Sequence, residues 1–392
     1  VGCWHVVNLV IPQSVKSIGV LTNRCFVWLE GHTILKEIGN ETILVVKKNY
    51  IDDYKKLFPR NRVVVNPYNY PCTQGIRMGD LIYDSNLDWV IGCVEDCNPK
   101  LVINKNVIGI APNVFRNSKD IIEVVLPEKL LYIGEYAFSN SSINTIVLPN
   151  NILFIGDSAF ERCKKIIEVD IPRKLVEIRR TCFSGCSNLK SLHLPNFGDC
   201  RTINSGAFSG TAITELKIPY YVRVISEGAF RWCHKLSYID ICSYETEICN
   251  NAFVDCESLE FVFLSSQFKL YGKAFCFISE HAFGNMPNLK LFYINTCGVE
   301  TIPYNIQHVV VTRENMSIMQ ENQVENIFKR INEKKDLMTE AFPVDFLYSI
   351  EDNLGVKYSS DKKKLLYASK PLNSYVTSPK GSTFFQKPSI GS

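Results

Sequence analysis

Fifteen cysteines and six histidines are the side chains from which this 392-residue chain would build a metal centre or a nucleophilic site. Two cysteine pairs, Cys93 with Cys97 and Cys182 with Cys186, stand at the spacing C-x-x-x-C. That spacing suits metal ligation, yet neither pair has a second pair at finger distance to complete four ligands around zinc. Small thiols at recurring positions are better read as core, because free cysteine is among the most buried residue types. Cys233 beside His234 would join a nucleophile to a base, but neighbours on a turn diverge, so the pair reads as packing. The other histidines are scattered and offer no triad. The motifs G-x-x-x-x-G-K-[ST], H-E-x-x-H, G-x-S-x-G and G-x-G-x-x-G are all absent, which removes the phosphate-loop, zincin, hydrolase and dinucleotide readings. Lys362, Lys363 and Lys364 form the one basic run and read as a solvated hairpin tip. No catalytic, metal or cofactor-binding residue is assigned, no cofactor is expected, and the chain reads as non-enzymatic.

Composition narrows the class further. With 46% hydrophobic and 21% charged residues, the chain has enough apolar surface for a large core and is not of the disordered class. Its 43 basic and 40 acidic residues leave a formal charge of +3, far from the dense basic face that phosphate neutralisation needs, so nucleic acid is not the expected partner. No uncharged apolar run approaches the roughly 18 to 20 residues that cross a bilayer, and no leader-like segment precedes the first strand pattern. The chain as given reads as soluble, without a membrane span. It begins at Val1 rather than Met, which leaves targeting open. An odd cysteine count leaves at least one thiol unpaired, and thiols with a packing role favour a reducing, intracellular setting. Sequons at Asn40, Asn140 and Asn315 are the opposite signal, for the cell surface.

What organises these side chains is a repeat. An aromatic recurs as Phe115, Phe138, Phe160, Phe183, Phe208, Phe230, Phe253 and Phe283. Ala precedes it in six of the eight units, with Val114 and Cys182 in the others. Three residues later comes a small or sulfur-bearing residue: Ser118, Ser141, Cys163, Cys186, Thr211, Cys233, Cys256 or Met286. A Leu or Ile follows, then an alternating apolar stretch that ends in Pro at 127, 149, 172, 195 and 219. Each unit reads as one short strand and a turn. A unit of this size cannot bury its own apolar face, whereas stacked neighbours bury a continuous one.

Written as A-F-x-x-C-x-x-L-x-x-I-x-I-P-x-x-V-x-x-I, this pattern resembles the BspA-like leucine-rich-repeat family, and Ala159 to Ile178 fits it almost position for position. The resemblance implies a solenoid in which each repeat lays a strand on a shared sheet and the Phe residues stack into an internal ladder. For many bacterial and protist members it also implies binding of host or matrix proteins.

The expected fold is a β-rich solenoid, a leucine-rich-repeat array with a helical C-terminal segment. Residues 1–70 read as a short N-terminal array, with Leu9 to Gly19 as a repeat strand and Ile43 to Pro59 as a closing segment. A hairpin connection spans 71–103, and the main array spans 104–312. Over 313–343 a helical cap is expected: Val324, Ile327, Phe328 and Ile331 fall at helical spacing, and Pro343 stops the run. The hairpin pattern recurs at 344–374, and 375–392 is a polar tail rich in Ser, Pro, Thr and Lys.

With no chemistry assigned, the remaining site is a surface. Strand alternation turns the two residues that flank the inner apolar position outward. These pairs are Glu123 and Val125, Thr145 and Val147, Glu168 and Asp170, Ser191 and His193, Glu215 and Lys217, Tyr238 and Asp240, Phe261 and Phe263, Leu291 and Tyr293. The last two pairs are wholly apolar or aromatic. The expected partner site is therefore Tyr238, Phe261, Phe263, Leu291 and Tyr293, with Glu168, Asp170 and Glu215 setting orientation. The competing reading is that the helical segment folds back over the aromatics. Two functions follow: a protein-binding or structural repeat protein docking on a partner or within a larger assembly, or a cell-surface adhesin.

Overall fold

The computed structural model describes residues 8–21, 25–69, 75–242, 246–265, 277–279, 281–289, 291–295, 309–311, 350–351, 356–358 and 365–368. The helical cap expected over 313–343 and the polar tail over 375–392 lie outside the described residues. The chain forms two compact units, Val1–Arg201 and Thr202–Ser392, so the array read as one span is divided between them.

In the first unit, four parallel strands pair in register: Asn8–Ile11, Phe26–Leu29, Ile43–Val46 and Arg62–Val65. A short helix, Ile51–Leu57, follows the third. Its Tyr54 is buried, accepting the Thr33 N–H and donating to the Thr33 carbonyl, both at 2.7 Å. The hairpin read near Met78 consists of Ile76–Met78, Leu81–Tyr83 and Trp89–Cys93, all antiparallel. Its last strand then pairs in parallel with Gly109–Ile110, so the hairpin starts the sheet that continues through Tyr132–Ile133 and Phe154–Ile155.

Most described repeats supply two strands, one more than the sequence pattern suggested. The longer set in the first unit includes Lys100–Val102, Glu123–Val125, Glu168–Asp170 and Ser191–His193. The second set, only two residues long, comes from the V-x-x-I end of the motif and lies in a different sheet. In the second unit the longer strands are Glu215–Ile218, Tyr238–Cys242, Phe261–Ser265, Leu291–Asn295 and Val309–Val311, parallel and in register. The shorter ones there are Thr202–Ile203, Val224–Ile225, Glu247–Ile248 and Phe277–Ile278. Ile350–Glu351, Val356–Tyr358 and Leu365–Ala368 form an antiparallel sheet where the second hairpin pattern lies.

Between the two walls runs the aromatic ladder. Phe115, Phe138, Phe160 and Phe183 are buried in the first unit, with successive ring centroids 5.0, 5.1 and 5.1 Å apart. Phe208, Phe230, Phe253 and Phe283 repeat this in the second, at 5.3, 5.3 and 5.0 Å. The backbone locks the same step. Phe138 N–H donates to the carbonyl of Ala159 at 2.8 Å, and Phe230 N–H to that of Ala252 at 2.8 Å. The residue before the Phe, Ala in six of the eight units, supplies the carbonyl that accepts this bond from the preceding repeat.

The recurring thiol has a bonding role that spacing did not reveal. Cys163 Sγ donates to the carbonyl of Phe138 at 3.0 Å, Cys186 to Phe160 at 3.1 Å, Cys233 to Phe208 at 3.3 Å and Cys256 to Phe230 at 3.3 Å. Each thiol thus reaches back to the aromatic of the preceding repeat and adds a hydrogen bond to its carbonyl, tying successive turns together.

Two residues on from each Phe, the backbone is left-handed: Asn117, Asn140, Arg162 and Gly185 in the first unit, and Gly210, Trp232, Asp255 and Asn285 in the second. Only Gly185 and Gly210 adopt this conformation without a Cβ penalty. Two substitutions of opposite sign are therefore expected in the same slot. Arg162→Gly should raise the unfolding free energy by about 0.5 kcal/mol, the relieved strain being partly offset by unfolded-chain entropy, and Gly185→Ala should lower it by about 1 kcal/mol. Urea unfolding of the two variants checks this, and equal signs would reject the turn.

Candidate protein-binding surface

The longer strands alternate as expected. In Glu168–Asp170 the middle residue is buried and its two neighbours are exposed, and Glu215–Ile218 alternates in the same way. The outward side chains stack in columns because strands in register lie about 4.8 Å apart.

In the first unit, one column begins a strand earlier than the sequence reading placed it. Lys100 pairs with Glu123, and Val102 with Val125. A parallel bridge between Glu123 and Thr145 carries the register on to Val147. Val102, Val125 and Val147 are 65%, 38% and 76% exposed, so three β-branched apolar side chains, two on paired strands and one on the bridged segment beside them, face water. Beside them, Lys100 Nζ lies 2.9 Å from Glu123 Oε1. Val102 was missed because Lys100–Val102 precedes the first complete A-F unit; the alternation E-V-V and T-I-V of the next two repeats was the signal that would have found it.

Of the residues assigned to a partner site, Glu168, Asp170 and Glu215 are exposed on their strands. The aromatics stand differently. Tyr238 and Phe263 are half-buried, with ring centroids 5.4 Å apart. Phe261 was expected outward and free, but only 5% of it is exposed. Its strand is flanked on both sides, Tyr238 standing opposite Phe261 on one and Leu291 on the other. An aromatic in the middle of such a column meets water along little more than its outer edge. The backbone places Tyr293 opposite Phe263. The side chains of Leu291 and Tyr293 lie outside the described residues.

Burial holds the thiols of Cys93, Cys182 and Cys186 protonated at neutral pH. Burial pushes Cys163 up to about 11, and Cys186 rises well above the ordinary range for the same reason. Cys93 is pushed up to about 12, first by burial and then by the neighbouring Cys97 thiol, which itself donates to the Val94 carbonyl at 2.7 Å. Thiols of this kind are poor nucleophiles and poor metal ligands at neutral pH. Cys233 and His234 diverge: the thiol is buried against Phe208, whereas His234 is exposed, its Nδ1 3.9 Å from Glu257 Oε2. Among the described residues, no helix is long and apolar enough to cross a membrane.

A family model described as BspA type leucine rich repeat region matches residues 93–199 and 201–331 in six copies, more than half of the 392-residue chain. No curated protein matches the sequence. Among solved structures, a leucine-rich repeat protein of T. pallidum is similar at 23% identity, with a TM-score of 0.41, over 48% of this chain and 90% of its own. One from Bacteroides ovatus has 18% identity and a TM-score of 0.32, over 61% of this chain and 82% of its own. A leucine rich cell surface protein from Faecalibacterium prausnitzii has 16% identity and a TM-score of 0.36, over 64% of this chain and 98% of its own.

Proposed function

Because this chain belongs to the BspA-type leucine-rich repeat family, we propose that it is a non-enzymatic scaffold that docks a protein partner on the outward face of its strands. The carrying observation is the column of Val102, Val125 and Val147. Single exposed apolar side chains are ordinary on any protein, but three in register on successive repeats make a contiguous strip. Burying each of them is worth roughly 1.5 kcal/mol, enough to anchor a modest interface once a polar rim fixes its register. Lys100, Glu123, Glu168 and Asp170 supply the first unit's charged positions and set orientation and salt sensitivity more than affinity. In the second unit the same face offers Tyr238 and Phe263, with Phe261 beneath them, Leu291 and Tyr293 at the matching positions of the next strand, and Glu215 as the charged position.

The test begins with capture of the partner by the wild-type chain and its identification by mass spectrometry. Binding of that purified partner is then measured against two variants. Val125→Lys with Val147→Lys is expected to weaken binding by about tenfold or more, with stability within about 0.5 kcal/mol, because both side chains are exposed. Tyr238→Ser with Phe263→Ser tests the aromatic contribution separately, leaving Phe261 in place because its loss would disturb the core. Binding unchanged in both folded variants would move the docking site off this face.

A further inference from the structure

We propose that Glu168, Asp170 and His193 form a surface site for a divalent transition cation of the zinc class. Glu168 and Asp170 stand two residues apart on one strand and so face the same side, while His193 stands directly opposite Asp170 on the next strand. His193 Nε2 is 3.1 Å from Glu168 Oε1. One ligand atom from each of the three residues lies within 4.8 Å of the other two. Zinc bonds to imidazole nitrogen and carboxylate oxygen are about 2.0 to 2.2 Å, which places the ligand atoms of a tetrahedral ion roughly 3.4 Å apart. The Glu168–His193 edge already has that length. Rotation of the exposed Asp170 side chain closes the remaining gap.

Charge supports the same assignment. Two exposed carboxylates are held on one strand beside a single imidazole, and among the described residues Asp170 has no ion pair or hydrogen bond of its own. Elsewhere on this face a carboxylate is balanced by a lysine, as Glu123 is by Lys100 at 2.9 Å. A divalent cation offsets both negative charges of the Glu168–Asp170 pair. The mix of one borderline nitrogen and two hard oxygens suits zinc and its first-row neighbours better than calcium, which takes oxygen ligands. Three protein ligands leave a fourth position for water or for a donor on a bound molecule. The thiols do not compete within this cluster, because no cysteine belongs to it. This site is independent of the docking reading, and its test uses no partner.

The experiment is a titration of the full chain with Zn2+, read through the imidazole signals of its six histidines by NMR, with His193 identified by loss of its signal in His193→Ala. A saturable shift of His193 is expected. Glu168→Gln and Asp170→Asn, which keep shape and remove charge, should each weaken binding at His193 by about tenfold or more, the usual penalty for disturbing a metal's immediate surroundings. Both positions are exposed, so the variants should fold as the parent does. The site is overturned if His193 shows no saturable shift, or if either substitution leaves its affinity unchanged, because the imidazole is then an adventitious ligand acting without both carboxylates.

Discussion

Phe160→Ala is expected to lower the unfolding free energy by about 3 to 5 kcal/mol, and Phe230→Ala by a similar amount. Both side chains are fully buried. Phe160 stacks between Phe138 and Phe183, at 5.1 Å and nearly parallel to each. Phe230 stacks between Phe208 and Phe253, at 5.3 Å from each. Truncation loses the transfer energy of the ring and leaves a cavity between two rungs that cannot collapse, because neighbouring backbones are tied by hydrogen bonds on either side. Within a solenoid, stability is close to a sum of repeats and nearest-neighbour interfaces, and an interior rung belongs to two such interfaces. Phe197→Ala is the control: that ring is 62% exposed, and its loss should change stability by less than about 0.5 kcal/mol. Chemical denaturation of the three variants checks the contrast. A loss below about 1 kcal/mol at Phe160 and Phe230 would mean that the rungs do not carry the array.

Raising the pH from 9 to 11 should destabilise the fold, and Cys163 should account for about 3 kcal/mol of the loss. In the unfolded chain this thiol ionises near its ordinary value of 9.0; in the fold, burial holds it protonated up to about 11. Below pH 9 it is protonated in both states and contributes no pH dependence. Between 9 and 11 the folded state binds more protons than the unfolded one, so stability falls as pH rises; above 11 both forms are ionised and the loss levels off. Cys186, also pushed up by burial, adds to the slope in the same direction. Cys163→Ser isolates the share of one thiol, since Ser118 and Ser141 fill the same slot in sister repeats. Urea midpoints of wild type and variant should converge toward alkaline pH. Parallel curves from pH 8 to 11 would show that the thiol does not titrate differently on folding.

The exposed valines and the metal cluster show how far column reading goes. Val125, Val147, Glu168, Asp170 and His193 were all identifiable as outward residues from the alternation alone. The columns were legible too, since Asp170 and His193 hold the second position of successive pairs and stand opposite each other; what they did not give is the diagonal contact that brings His193 Nε2 to 3.1 Å from Glu168 Oε1. Read singly, Glu168 and Asp170 are two rim charges and His193 a scattered imidazole. Phe261 shows the reverse error, since facing outward on a strand does not expose a side chain when wide neighbours flank it on both sides.

Sequence alone determined the repeat, the residues that fill its interior and the direction each strand residue faces. These follow from a local rule, that an apolar position recurring at a fixed interval must meet its own copy in the next turn. The tertiary structure decided what depends on distances between turns. It placed left-handed backbone under Arg162 and Trp232 as readily as under Gly185, because the ladder step fixes the conformation and the residue type only sets its cost. It made the cysteine slot a hydrogen bond to the preceding repeat, and it brought two carboxylates of one strand against a histidine of the next. The carboxylate–histidine contact runs diagonally between two strands, and spacing along the chain does not say which side chains will meet there, so the stacked register reveals it.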